Sequence, residues 1–136
     1  MNQINKILKG IPEKQGRYKN TTSLKWKKDL VEFFINKNLK KCLEIGTCNG
    51  KTTKILSKIF KEIWSIEFNQ KRLNKAKEFC KDETNINFIH GNAYSDITYN
   101  NFPPLFDIAV IDCVHEYDNV MFDINKALSF FNGKKI

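Results

Sequence analysis

A parallel α/β sheet is the fold class that this sequence predicts, and three observations predict it. Short apolar segments recur at 41–45, 62–67, 86–89 and 106–111. Stretches with helical spacing or loops separate them, the alternation that builds parallel sheets with right-handed crossovers. The last segment holds an unbroken apolar run, Ile108 to Ile111, which suits a strand buried on both faces.

Taken in order, residues 1–21, with Gly10, Pro12 and Gly16, read as a loosely ordered arm or short helix ahead of a domain spanning 22–136. Thr22 and Ser23 are both suitable N-caps for a helix running to about Asn38. Trp26, Leu30, Phe33, Phe34 and Lys37 fall near one face of it, and the aromatics Trp26, Phe33 and Phe34 are expected in the core. The first strand is 41–45. A helix from about Lys51 to Phe60 carries Ile55, Leu56, Ile59 and Phe60 on one side. The second strand, 62–67, alternates Ile63, Trp64 and Ile66, with Trp64 expected beneath a neighbouring helix.

Asn69 caps a helix to about Lys81, with Leu73, Ala76, Phe79 and Cys80 inward. The third strand, 86–89, ends at His90, expected to be structural. A loop with Pro103 and Pro104 leads to the fourth, 106–111. The final helix covers about Tyr117 to Phe131, with Val120, Met121, Ile124, Ala127, Leu128 and Phe131 inward, and Gly133 ends it. There is no internal repeat. The fourth strand is a long apolar edge, which natural proteins cover. The sequence stops three residues after Gly133, so the fold is expected to be truncated before a fifth strand, or its edge covered by an oligomer or partner.

Bulk properties bound the function. The 136 residues are 41% hydrophobic and 28% charged, sufficient for one soluble domain. No apolar run approaches the ~20 residues of a membrane span, and no signal-type apolar segment opens the chain, so the cytoplasm is the expected compartment. The net charge of +8 is nearly all lysine; Arg17 and Arg72 are the only arginines. Bidentate reading of phosphate or guanine favours arginine, which argues against sequence-specific nucleic-acid binding. The four cysteines, 42, 48, 80 and 113, form no Cys-x-x-Cys pair. Free thiols are expected rather than a zinc site, with Cys48 and Cys113 both following strands.

The densest information lies at 41–53, Lys-Cys-Leu-Glu-Ile-Gly-Thr-Cys-Asn-Gly-Lys-Thr-Thr. A strand runs into a loop holding Gly46 and Gly50, and a helix follows at once. Glycine lets such a loop turn sharply and lets a ligand approach the backbone, so a nucleotide-type site is expected. A dinucleotide fingerprint fails, because the pattern is Gly-x-x-x-Gly. A P-loop matches except for one missing residue, and Asp112 would then position a metal; this is the alternative nucleotide-binding reading.

The third reading uses more of the chain. Glu44-Ile45-Gly46-x-x-x-Gly50 resembles the first motif of class I S-adenosylmethionine-dependent methyltransferases. Glu67 closes the second strand 23 residues after Glu44. Gly91-Asn92-Ala93 follows the third strand, where the family usually has Gly-Asp-Ala. Asp112-Cys-Val-His115-Glu-Tyr117 follows the fourth and resembles a small-molecule O-methyltransferase-like branch.

That resemblance, over residues 22–136, implies a Rossmann-like doubly wound sheet of strand order 3-2-1-4. It implies S-adenosylmethionine as cofactor and methyl transfer to a hydroxyl of a small molecule or sugar. Glu44, Gly46, Gly50, Glu67, Asn92 and Ala93 would bind the cofactor: Glu44 its methionine amino group, Glu67 its ribose hydroxyls, Asn92 its adenine. Asp112 and His115 would be catalytic, His115 as general base with Tyr117 packing against it, and Asp112 is a candidate Mg²⁺ ligand. The competing class is a non-catalytic methyltransferase-like module that works with a partner.

Overall fold

The computed structural model describes residues 1–12 and 22–131. The expectations resting on Gly16, Arg17 and Gly133 lie outside the described residues. The chain divides into two compact units, 1–38 and 39–136.

In the first unit, α1 (Gln3–Leu8) starts at Asn2, whose side chain accepts from the Asn5 amide. α2 (Leu24–Phe34) starts at Ser23, whose hydroxyl accepts from the Trp26 amide at 3.1 Å. The helix ends four residues short of Asn38, where a tight turn places the Lys37 amide on the Phe34 carbonyl. Its buried stripe is Lys27, Leu30, Val31 and Phe34. Trp26 and Phe33, expected in the core, are instead 37% and 62% exposed. Two stripes at helical spacing competed for one inward face, and the stripe with Val31 won. It takes Lys27 with it, whose ammonium bonds both the carbonyl and the hydroxyl of Thr22 at 2.5 Å.

The second unit is an α/β sheet: β1 (Lys41–Ile45), α3 (Lys51–Ser57), β2 (Glu62–Glu67), α4 (Gln70–Phe79), β3 (Ile86–His90), a single 3₁₀ turn at Asp96–Tyr99, β4 (Ile108–Ile111) and α5 (Tyr117–Leu128). The strands are parallel in the expected order β3-β2-β1-β4. The bounds of β1 and β2 match the sequence reading. Helices α3 and α5 stop three residues early, because their ends tighten into i→i+3 bonds, Ile59 to Leu56 and Phe131 to Leu128. Phe106 lies outside β4, since its amide goes to the Phe130 carbonyl. β4 is one edge strand of the sheet, β3 being the other, and Ile108, Ala109 and Ile111 are half-buried rather than covered on both faces.

Leu43, Ile45, Ile66, Ala93, Tyr99, Phe106 and Ala127 form a core cluster. Each large apolar side chain buried there contributes roughly 1.5–3 kcal/mol. Trp64 packs on Phe102, in the loop before β4, at 5.0 Å, and against the core cluster to which Ala127 of α5 belongs. α5 departs most from expectation. Its buried positions are Asp123 and Ala127, while Met121 and Leu128 are 37% and 59% exposed. The inward face of α5 is centred on Asp123 and Ala127, four residues apart; Met121 and Leu128 flank it.

Candidate functional site

The carboxyl ends of β1, β2 and β4 meet at the loop 46–50. Gly46 has φ +104°, and a Cβ there would stand 2.2 Å from the Asp112 carbonyl oxygen. No side chain fits, so β1's exit passes against β4's exit on bare backbone. Gly50 caps α3 in the left-handed region, φ +79°, and a Cβ there would meet Ala76 of α4 at 2.9 Å. Helix packing therefore demands this second glycine. Cys48, between them, is also left-handed at φ +51°. Its amide donates to Glu67 Oε2 at 2.7 Å, and the Asn69 amide donates to Glu67 Oε1 at 2.8 Å. Each Glu67 oxygen keeps acceptor capacity.

Glu44 is 1% exposed. Its Oε2 accepts from the hydroxyls of Thr53 at 2.6 Å and Ser65 at 2.5 Å. Its Oε1 has no partner among the described residues. Burial pushes its pKa up to about 7; the two hydroxyls pull the other way, and the nearby acids Asp112 and Glu67 push it further. A buried carboxylate lacking a counter-charge at one oxygen suits a cationic group.

The other sequence-predicted residues line neighbouring strand ends. The Gly91 amide bonds the Glu67 carbonyl at 3.1 Å, tying β3's exit to β2's. Asn92 is exposed, and its Oδ1 caps a local turn by accepting from the Tyr94 amide at 3.0 Å. Ala93 is buried, its carbonyl held by the Tyr99 hydroxyl at 2.9 Å. His90 ends β3 with Nε2 on the Phe68 carbonyl. After β4, His115 Nε2 lies 3.1 Å from Asp112 Oδ1, with the imidazole 77% exposed. Tyr117 is 77% exposed and does not pack as expected.

Two expectations find no support. Among the described residues, no group of three or more His, Cys, Asp or Glu side chains could hold a metal ion, so Asp112 belongs to no such group there. Four of the five loop amides, those of 46–48 and 50, are also committed within the fold rather than free for a phosphate. The amides of Gly46 and Thr47 are given to the Ile66 carbonyl, that of Cys48 to Glu67 and that of Gly50 to the Thr47 carbonyl.

The family model described as "Methyltransferase domain" matches residues 43–129. The chain belongs to the methyltransferase-domain family. The fold of this methyltransferase domain agrees with solved structures of class I enzymes. It matches the SAH-bound methyltransferase PaMTH1 of Podospora anserina at 18% identity and TM-score 0.72, covering 82% of this chain and 50% of that one. It matches a putative O-methyltransferase of Klebsiella pneumoniae at 17% and 0.65, covering 90% and 59%. It matches Aeropyrum pernix fibrillarin, which has natively bound S-adenosyl-L-methionine, at 21% and 0.59, covering 70% and 42%. The chain thus spans about half the length of the structures it matches. No curated protein matches the sequence. No helix among the described residues is long and apolar enough to cross a membrane.

Sequence reasoning gave no role to Ser65, Thr53 or Asp123. Ser65 was legible in principle, since it sits opposite Glu44 in the β1–β2 register. Thr53 is the third residue of α3, immediately behind the loop. Asp123 left only the weak signal of a polar residue in an apolar helix face.

Proposed function

We propose that this methyltransferase domain binds S-adenosylmethionine across the carboxyl ends of β1, β2 and β3. We propose further that it methylates a hydroxyl of a small molecule or sugar in the cytoplasm. The observation that carries this reading is the buried Glu44 carboxylate with one unpartnered oxygen, beside a Gly46 turn that tolerates no side chain. Glu44 would take the methionine amino group. Gly46 and Gly50 shape the loop against the ligand, and Glu67 would accept from the ribose diol with its remaining lone pairs. Asn92 and Ala93 would flank the adenine. When bound, S-adenosylmethionine supplies an electrophilic methyl group.

The chain's own work is to hold the acceptor oxygen in line and remove its proton. His115 Nε2 faces the Asp112 carboxylate, so Nε2 carries the hydrogen and Nδ1 the lone pair. Nδ1 is then the atom that takes the acceptor's hydroxyl proton, and Asp112 steadies the imidazolium that results. The test is a screen of hydroxylated acceptors with His115→Gln beside the native chain. The variant is expected to bind cofactor unchanged and to turn over roughly 10²–10⁴-fold more slowly. Equal rates would remove His115 from catalysis.

A second reading, a module that works with a partner, draws on the half-buried edge strand β4. It expects cofactor binding without turnover by the chain alone.

A further inference from the structure

The surroundings of Glu44 hold an ordering that a simple ligand contact does not require. A serine or threonine hydroxyl has one proton to give. Thr53 and Ser65 both give theirs to Glu44 Oε2. Ser65 Oγ also lies 2.6 Å from the Thr47 hydroxyl; with Ser65's proton already spent, Thr47 is the donor in that pair. Three hydroxyls from three segments, the loop after β1, β2 and α3, thus direct their protons toward one oxygen. All three residues are buried.

Oε1 receives nothing. A neutral Glu44 would carry its proton on Oε1 with no acceptor, and an ionised Glu44 leaves that oxygen as an uncompensated charge. The titratable groups acting on or beside it supply no cation. Asp112 after β4 and Glu67 at the end of β2 are acids that repel its charge. Cys42 on β1 and Cys80 after α4 are thiols that burial pushes toward the neutral form. Lys54 on α3 is engaged at the Phe79 carbonyl, 3.0 Å away.

We propose that Thr53 and Ser65, backed by Thr47, are positioning residues that poise Glu44 so that a cationic amino group binds at Oε1 with release of one proton. This rests on the cofactor-binding reading above and adds a pH dependence to it. The unliganded acid titrates near neutrality, at about 7, and an ammonium beside it favours the charged form. Ligand affinity should then fall as pH drops below the free-state value, by up to about tenfold per pH unit, and level off above it until the ligand's own α-ammonium titrates near about pH 8.

The experiment is calorimetric titration of the full chain with S-adenosylmethionine from pH 5.5 to 8.5, in buffers of different ionisation enthalpy. It is paired with ¹³C NMR titration of the Glu44 carboxyl in the free protein. The native chain should release a proton on binding below neutrality, and Glu44→Gln should bind without that release. Ser65→Ala and the isosteric Thr53→Val should each move the inflection upward by about one pH unit. Thr53→Ser, which keeps the hydroxyl, should leave it in place. A purely structural role would weaken binding at every pH with the inflection unmoved, and that result overturns the proposal. Binding by the native chain that is flat with pH overturns it too, while sparing the cofactor reading. No binding at any pH sinks the cofactor reading, and the ligand half of the proposal with it. The free-protein titration then decides the hydroxyl half, and an unmoved Glu44 inflection in Ser65→Ala refutes that.

Discussion

Replacing Asp123 by asparagine should make this protein more stable at alkaline pH. Asp123 is fully buried on α5, and neither of its oxygens has a partner among the described residues. Burial raises its pKa from the ordinary 3.8 to about 6. The folded state therefore holds the proton more tightly than the unfolded chain does. Stability contributed by the neutral acid is fully present below about pH 4. It declines as pH rises and is lost once pH passes the folded value near 6. Each pH unit of the difference corresponds to about 1.4 kcal/mol, so ionisation of Asp123 costs roughly 2–3 kcal/mol at pH 8. Asparagine has nearly the same volume and never ionises. Urea unfolding followed by circular dichroism at pH 4.5 and pH 8 measures the difference. The variant should be about 1 kcal/mol more stable than the native chain at the lower pH and about 3 kcal/mol more stable at the higher. Equal pH dependence in the two proteins would refute the reasoning, because it would mean that Asp123 is not buried in its charged form at all.

Two other substitutions probe the architecture around the site. Gly46→Ala combines an unfavourable backbone angle with a Cβ 2.2 Å from a carbonyl oxygen. It should cost more than about 3 kcal/mol in urea unfolding, and a loss under 1 kcal/mol would contradict the close approach. Asp107→Asn should lower the unfolding free energy by about 1 kcal/mol, because its carboxylate accepts from the Lys40 and Lys41 amides at 2.7 and 2.9 Å. Those amides hold its pKa below the usual range. Its contribution is thus present above the ordinary carboxylate pKa and is lost as pH falls through the lowered folded value, so the native chain and the variant should converge in acid.

The sheet was legible in the sequence because its strands are short and bounded by strong punctuation. β1 stops at Gly46, and β2 lies between Lys61 and the capping Asn69. Helix ends were less so, since a final turn that tightens to i→i+3 bonding carries no residue signature. Trp26 and Phe33 misled for a different reason. α2 offers two apolar stripes a single residue apart, and a buried Lys27 is counter-intuitive until its bonds to Thr22 are seen. At the site, the acids and glycines stood out as residue types at fixed spacing. The hydroxyls that organise Glu44 did not, because serine and threonine are common and only the strand register brings Ser65 beside it. At Gly50 the glycine pattern carried no sign of a second demand on the position, the close approach of Ala76 on α4.

The central claim is that the ends of β1 and β2 hold S-adenosylmethionine. Calorimetric titration of the 136-residue chain with that compound tests it directly, with ATP–Mg²⁺ in parallel and Glu67→Ala as the control, its fold checked by circular dichroism. The prediction is micromolar binding of S-adenosylmethionine by the native chain, at least tenfold weaker in Glu67→Ala, and no binding of ATP–Mg²⁺. Absence of S-adenosylmethionine binding by the folded native chain, or equal affinity in Glu67→Ala, would contradict it.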